Sequence, residues 1–133
     1  MFGHVDTTIT DLETQETLEF PWGAIKWLCN DQIDSDAEMT FGIVYINAGQ
    51  TNPLHYHPNC EELIYVISGQ CHHSLGDEMH HLKPGMMLRI PQDVKHNAAN
   101  NGWAPVTMVM FGVLLFATVW WFKSCLLYTS PSP

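Results

Sequence analysis

Gly49-Gln-Thr-Asn-Pro-Leu-His55-Tyr-His57-Pro-Asn-Cys-Glu61-Glu62-Leu-Ile-Tyr-Val-Ile-Ser-Gly69 is the stretch on which the reading of this chain turns. Side chains alternate between the faces of a strand, so His55 and His57, two apart, are expected to point the same way with Tyr56 opposite. Both imidazoles then reach one point. After a break at Pro58-Asn59, Glu62 opens the apolar run 63–67, a second strand whose end is marked by the turn signal Ser68-Gly69. A further imidazole comes from Gly85-Met-Met-Leu-Arg-Ile-Pro91-Gln-Asp93-Val-Lys-His96-Asn-Ala-Ala-Asn100. A His-x-His pair alone is more often surface or core histidine than ligand. Three histidines and a glutamate, however, make a mixed nitrogen and oxygen donor set that leaves open positions on a six-coordinate ion. A structural zinc site is more often closed and rich in sulfur.

At these residues the chain resembles the cupin family. The first stretch fits that family's Gly-x5-His-x-His-x4-Glu-x6-Gly motif at every fixed position, with Glu62 as the glutamate. The second fits Gly-x5-Pro-x-Gly-x2-His-x3-Asn, except that Asp93 stands where the second glycine is usual. Aspartate accepts left-handed backbone angles more readily than most residues, so the turn before His96 is expected to survive the change. Fifteen residues, 70–84, separate the two motifs, as in compact microbial members of the family. The resemblance implies an all-β fold, the cupin-type double-stranded β-helix or jelly-roll barrel. It also implies one divalent transition metal (Fe, Mn, Ni or Zn) held by His55, His57, Glu62 and His96. Glu61, on the opposite parity from Glu62, is then expected to face solvent. Dioxygenases, sugar isomerases, decarboxylases, lyases and polyketide cyclases all occur among such proteins. Some of the lyases carry a tyrosine two residues after the glutamate; here that position is Ile64, which speaks against that activity.

Composition narrows the classes. At 133 residues the chain is one domain, large enough to bury a core without disulfides. The formal charge is −9, and nine of the fourteen acids lie in the first forty residues, against one lysine. Phosphate recognition needs clustered Lys and Arg, so nucleic acid and anionic membrane are not expected as partners; a small-molecule substrate is. Four cysteines without Cys-x-x-Cys spacing and an N-terminus without a signal-peptide pattern point to the cytoplasm.

Along the chain, residues 1–19 read as an acidic arm, 20–111 as the barrel and 112–133 as an anomalous tail. Residues 20–28 read as one aromatic strand. Residues 39–48 read as a strand apolar on both faces, with Val44 and Ile46 or their neighbours inward, and such a strand is covered on both sides. Trp22 and Trp27 are candidates either for a homodimer interface or for plugging the barrel end. By alternation from Glu62, Ile64 and Val66 face inward while Tyr56 and Tyr65 point away. Arg89 would clamp a carboxylate if it faced inward, or else is a solvated strand residue. Residues 70–83 read as a hairpin turning at 75–78, which sets His72 and His73 across from His81 and His80. These four histidines are read as surface residues of the ribbon in preference to a second metal site.

Residues 104–122 carry no charge over nineteen positions and end in Trp-Trp-Phe, the length and belt of a membrane helix. A strand over 106–111, due after the second motif in a cupin, would leave too little to cross a bilayer, and membrane association is not expected. The end, Cys125-Leu-Leu-Tyr-Thr-Ser-Pro-Ser-Pro133, resembles the translation of a sequencing adapter. On that reading the closing part of the barrel is missing or replaced.

Two functional classes follow. One is a metal-dependent enzyme acting on a small oxygenated organic molecule; the other is a non-catalytic cupin that binds or senses such a molecule. A complete ligand set favours the first. The lack of a recognisable general acid or base, or of a paired nucleophile, favours the second.

Overall fold

The alternation read above is realised as antiparallel strands throughout the computed structural model, which describes residues 9–115 and 127–129. In chain order these are β1 (Leu18–Phe20), β2 (Gly23–Cys29), β3 (Met39–Ile46), β4 (His55–Tyr56), β5 (Cys60–Ser68) and β6 (Cys71–Leu75). There follow β7 (Glu78–Leu82), β8 (Met87–Ile90), β9 (His96–Ala99), β10 (Val106–Leu114) and β11 (Tyr128–Thr129). They form a six-stranded sheet, β1-β2-β3-β10-β5-β8, and a five-stranded sheet, β11-β4-β9-β6-β7. The described residues contain no helix, and the all-β jelly-roll expectation holds.

Inward residues of both sheets meet in one core. Val44, Ile46, Ile64, Val66 and Met108 of the larger sheet pack with Cys71, Leu82 and Ala98 of the smaller. Parity along β5 does the sorting: Ile64 and Val66 are buried, whereas Tyr65 between them is 46% exposed. Ile43, on the other face of β3, is buried as well, so this strand is covered on both sides at that point within a single chain.

Two boundaries differ from expectation. Residues 20–28 are not one strand but the end of one and most of another, with Phe20 pairing to Gly23 across Pro21 and Trp22. Proline has no amide hydrogen for a ladder, and its fixed φ suits the first position of a turn. Similarly, β3 ends at Ile46: after one more bond, from the Asn47 amide to the Trp22 carbonyl at 2.9 Å, the chain turns, with the Gln50 amide donating to the Asn47 carbonyl at 3.0 Å and Gly49 at φ +78°. The 70–83 hairpin forms in the expected register, His72 opposite His81 and His73 opposite His80.

The strand reading of 106–111 prevails over the membrane reading, since β10 is hydrogen-bonded between β3 and β5 and runs on to Leu114. Among the described residues no helix is long and apolar enough to cross a membrane. Within 112–133, residues 112–114 complete β10 and Tyr128–Thr129 pair with β4. The adapter-like end, apart from residues 127–129, lies outside the described residues, as do residues 1–8.

Candidate metal centre

His55 on β4 pairs in register with His96 on β9, which brings the two sequence motifs side by side. The Asp93 amide donates to the His57 carbonyl at 2.9 Å, and the Gln92 side chain donates to the Pro58 carbonyl. These ties need Asp93 in a left-handed turn, and its φ is +66°. That is the conformation for which glycine is usual, and aspartate tolerates it better than most residues. At the other end of the first motif, Gly69 (φ +78°) has no such latitude, because a β-carbon there would lie 2.4 Å from the Pro105 carbonyl oxygen.

His57 follows β4 in the connection to β5, so strand parity alone does not aim it. Even so, one ring nitrogen from each of His55, His57 and His96 lies within 4.8 Å of the others. Glu62, at the start of β5 in the opposite sheet, places Oε2 2.8 Å from His57 Nε2 and Oε1 3.9 Å from His96 Nε2. All four side chains are buried. The structure thus gathers the four residues that the two motifs supplied.

Ring orientation is fixed from behind. His55 Nδ1 lies 2.7 Å from the Pro53 carbonyl and His96 Nδ1 lies 2.9 Å from the Val94 carbonyl. A carbonyl only accepts, so Nδ1 carries the proton in each ring and Nε2 presents its lone pair. This backbone support is the usual setting of a metal-ligating histidine. His96 Nε2 is buried without a hydrogen-bond partner among the described residues, an arrangement that costs free energy unless something else occupies its lone pair. Nitrogens on one ion lie within about 4.2 Å of each other, given bonds of about 2.1 Å, so a small closing of this cluster suffices. The residues present fit a divalent metal.

Electrostatics agree. Burial, reinforced by the neighbouring His57, holds His55 below the usual imidazole range despite the Pro53 carbonyl and Glu62. Burial, with His55 and His57 close by, pushes His96 down to about 4. Burial alone would raise the Glu62 carboxyl; the hydrogen bond from His57 and the electrostatic attraction of His57, His96 and His55 outweigh it and hold the group below the usual carboxylate range. Neutral imidazoles beside a carboxylate are the protonation states that metal binding requires.

Glu61, on the other face of β5, accepts from Arg89 at 2.7 Å on the outer surface. Arg89 is therefore the solvated residue of the two readings, not a clamp inside the barrel. His73 was overlooked as an inward group. It is 3% exposed, its ring lies nearly parallel to His96 at 5.9 Å, and its Nδ1 donates to the Ser74 carbonyl at 2.9 Å. Burial holds it, too, below the usual imidazole range. The signal was available, since His73 shares strand parity with buried Cys71.

Beside the cluster lies a cavity of about 460 Å³ lined in part by His55, His57 and Glu62. Phe20, Trp22, Ile25, Trp27, Val44 and Met110 supply most of its apolar wall. Trp22 and Trp27, the candidates for a homodimer interface or a barrel-end plug, are both half-buried and both line this cavity.

A family model described as "Cupin domain" matches residues 42–112. Among curated proteins, Protein SchB of Streptomyces halstedii is 39% identical over 61 residues, 46% of this chain and 44% of that protein. Polyketide synthase CurC of Streptomyces cyaneus is 34% identical over 68 residues, 51% of this chain and 44% of that protein. The matched region thus spans less than half the length of these relatives. Among solved structures, an uncharacterized Klebsiella pneumoniae protein with a double-stranded beta-helix domain superposes with a TM-score of 0.73 at 16% identity. That match covers 96% of this chain and 100% of the other. Oxalate decarboxylase from Lactobacillus farciminis gives 0.74 at 18% identity, over 88% of this chain and 34% of the enzyme. These structural likenesses concern the fold.

Proposed function

The chain belongs to the cupin domain family, and on that premise we propose that it is a metal-dependent enzyme acting on a small oxygenated organic molecule. His55, His57, Glu62 and His96 hold the ion in this reading. The observation that carries it is the three imidazole nitrogens within 4.8 Å of one another, with a buried carboxylate against them. A divalent iron, manganese, nickel or zinc ion bound there supplies Lewis acidity at open coordination positions.

The chain's own residues set the conditions. The Pro53 and Val94 carbonyls hold the His55 and His96 rings with Nε2 forward. The Glu62 carboxylate offsets part of the ion's charge, and the apolar wall limits water next to it. No residue in the cavity is assigned as a separate general base.

The match to CurC supports a second, narrower reading of the substrate, a polyketide-like chain with 1,3-related oxygens. Such oxygens suit bidentate attachment to an open metal position. The test begins with metal analysis of protein purified without a histidine tag. It continues with anaerobic iron(II) loading and an oxygen-uptake screen over phenols, keto acids, 1,3-diketones and thiols. Uptake stimulated by one class, or conversion of a compound without uptake as read by product analysis, supports the enzyme; stoichiometric metal with ligand binding but neither uptake nor product for any class selects a binding or sensing module instead.

A further inference from the structure

The cavity beside the metal cluster is shaped by what its walls omit. On the inner face of the larger sheet the cross-strand rows are Ile25–Val44–Met108–Val66, then Trp27–Gly42–Met110–Ile64, then Thr40–Gly112–Glu62. The first row is filled with side chains. The second and third each carry a glycine. A β-carbon on Gly42 would lie 2.9 Å from the Trp27 ring, so that ring fills the space over this glycine, whereas Gly112 of the third row lines the cavity beside Glu62.

At the β1–β2 hairpin, Phe20 and Trp22 stack with centroids 4.9 Å apart and planes within 2°. Both rings and that of Trp27 line the same cavity as His55, His57 and Glu62. β2 is three strands away from β5, roughly 14 Å at the usual strand spacing, so aromatic wall and carboxylate bound the two ends of one hollow. Among the described lining residues Glu62 is the single charged group, and there is no Lys or Arg. A compact dianion such as a small dicarboxylate would meet positive charge only at the metal, and away from it would gain nothing from the apolar walls to offset lost hydration. A flat, uncharged ring system would stack on the aromatic wall and keep its oxygens toward the histidines.

We propose that Phe20, Trp22 and Trp27 form a stacking slot that selects planar aromatic ligands carrying an adjacent oxygen pair over small aliphatic acids. The slot rests on the metal reading only for the direction in which the oxygens point.

The test is calorimetric titration of the full chain, once loaded with nickel(II) and once stripped with chelator. The probes are 2-acetyl-1-naphthol, acetylacetone, which offers an oxygen pair without the rings, and oxalate. The naphthol is expected to bind at least about tenfold more tightly than either other probe. Trp22→Leu is expected to weaken naphthol binding by about tenfold, while Trp22→Phe stays within about twofold and nickel stoichiometry is unchanged. Trp27→Leu should act in the same direction; if it unfolds, as thermal melting would show, the Trp22 pair decides. Acetylacetone or oxalate binding as tightly as the naphthol, or Trp22→Leu binding unaltered, overturns the slot. A chain that takes up no nickel fails the metal reading, and naphthol binding to the stripped protein, lost in Trp22→Leu, then still upholds the slot.

Discussion

Seven of the eight histidines fall in two groups, and the groups behave oppositely. His55 and His57 come from one segment and His96 from another about forty residues on, yet the three converge in the interior; His72, His73, His80 and His81 are packed into one hairpin and disperse. Strand parity divides the second group. His72 and His81 stack outward at 4.9 Å, His80 leans on Glu78 at the surface, and His73 turns inward against His96. Density of imidazoles in the sequence is thus a poor guide to a site. What separates the groups is the buried Glu62 carboxylate, 2.8 Å from His57 and 3.9 Å from His96.

The sharpest break of this comparison is substitution on each side of it. His57→Ala is expected to take metal from about one ion per chain to near none with the far-ultraviolet spectrum unchanged, whereas His72→Ala with His81→Ala leaves metal content intact. Elemental analysis of untagged protein reads both, and the reverse pattern would move the site to the ribbon.

Acid should expose the interior group next. His96 has a folded value of about 4 against about 6.5 unfolded, so the unfolded chain binds the extra proton between these limits. Stability of the metal-stripped protein therefore falls as pH drops from 6.5 to about 4, by up to about 3 kcal/mol from this residue, and levels below. Chemical denaturation across that range measures it. His96→Gln should reduce the slope, His55 and His73, which burial also holds low, supplying the remainder, and an equal slope in the variant would refute the assignment.

Glu62→Gln keeps the shape of the site but removes its charge. A loss of metal affinity on the order of 10–100-fold is expected, roughly what perturbing the support of a ligand set costs. Glu61→Gln, whose carboxylate meets Arg89 outside the barrel, should leave affinity unchanged. Equal effects in competition titrations would mean that the two carboxylates had been exchanged.

The smallest effect concerns the turn before His96. Asp93→Gly should shift stability by no more than about 1 kcal/mol, while Asp93→Val should lose about 1–2 kcal/mol, because a β-branched residue resists left-handed angles. Thermal melts of the two variants distinguish them; indifference to valine would show that the turn relaxes.

Much of this was legible in the residues. Two motifs in order carried the fold and the four candidate ligands, because a turn, a ligand and a strand start each demand a particular residue type at a set spacing. Alternation placed Ile64 and Val66 inward, and turn chemistry gave the register of the 70–83 hairpin. Other features were not legible. Pro21 split what read as one strand, and the open parity of Arg89 was closed only by Glu61 across the sheet.

From sequence alone came the barrel and the choice of Glu62 over Glu61, both carried by the fit of two motifs to the cupin pattern, with strand alternation adding that only one of the two glutamates can face inward. Only the folded chain decided that His57 reaches the cluster from a connection, that His73 backs His96, and that two tryptophans line one cavity with a carboxylate. Those facts depend on strands distant in the chain lying side by side. Which side chains then share a cavity follows from sheet order and register, and local sequence constrains these only through the contacts that folding itself creates.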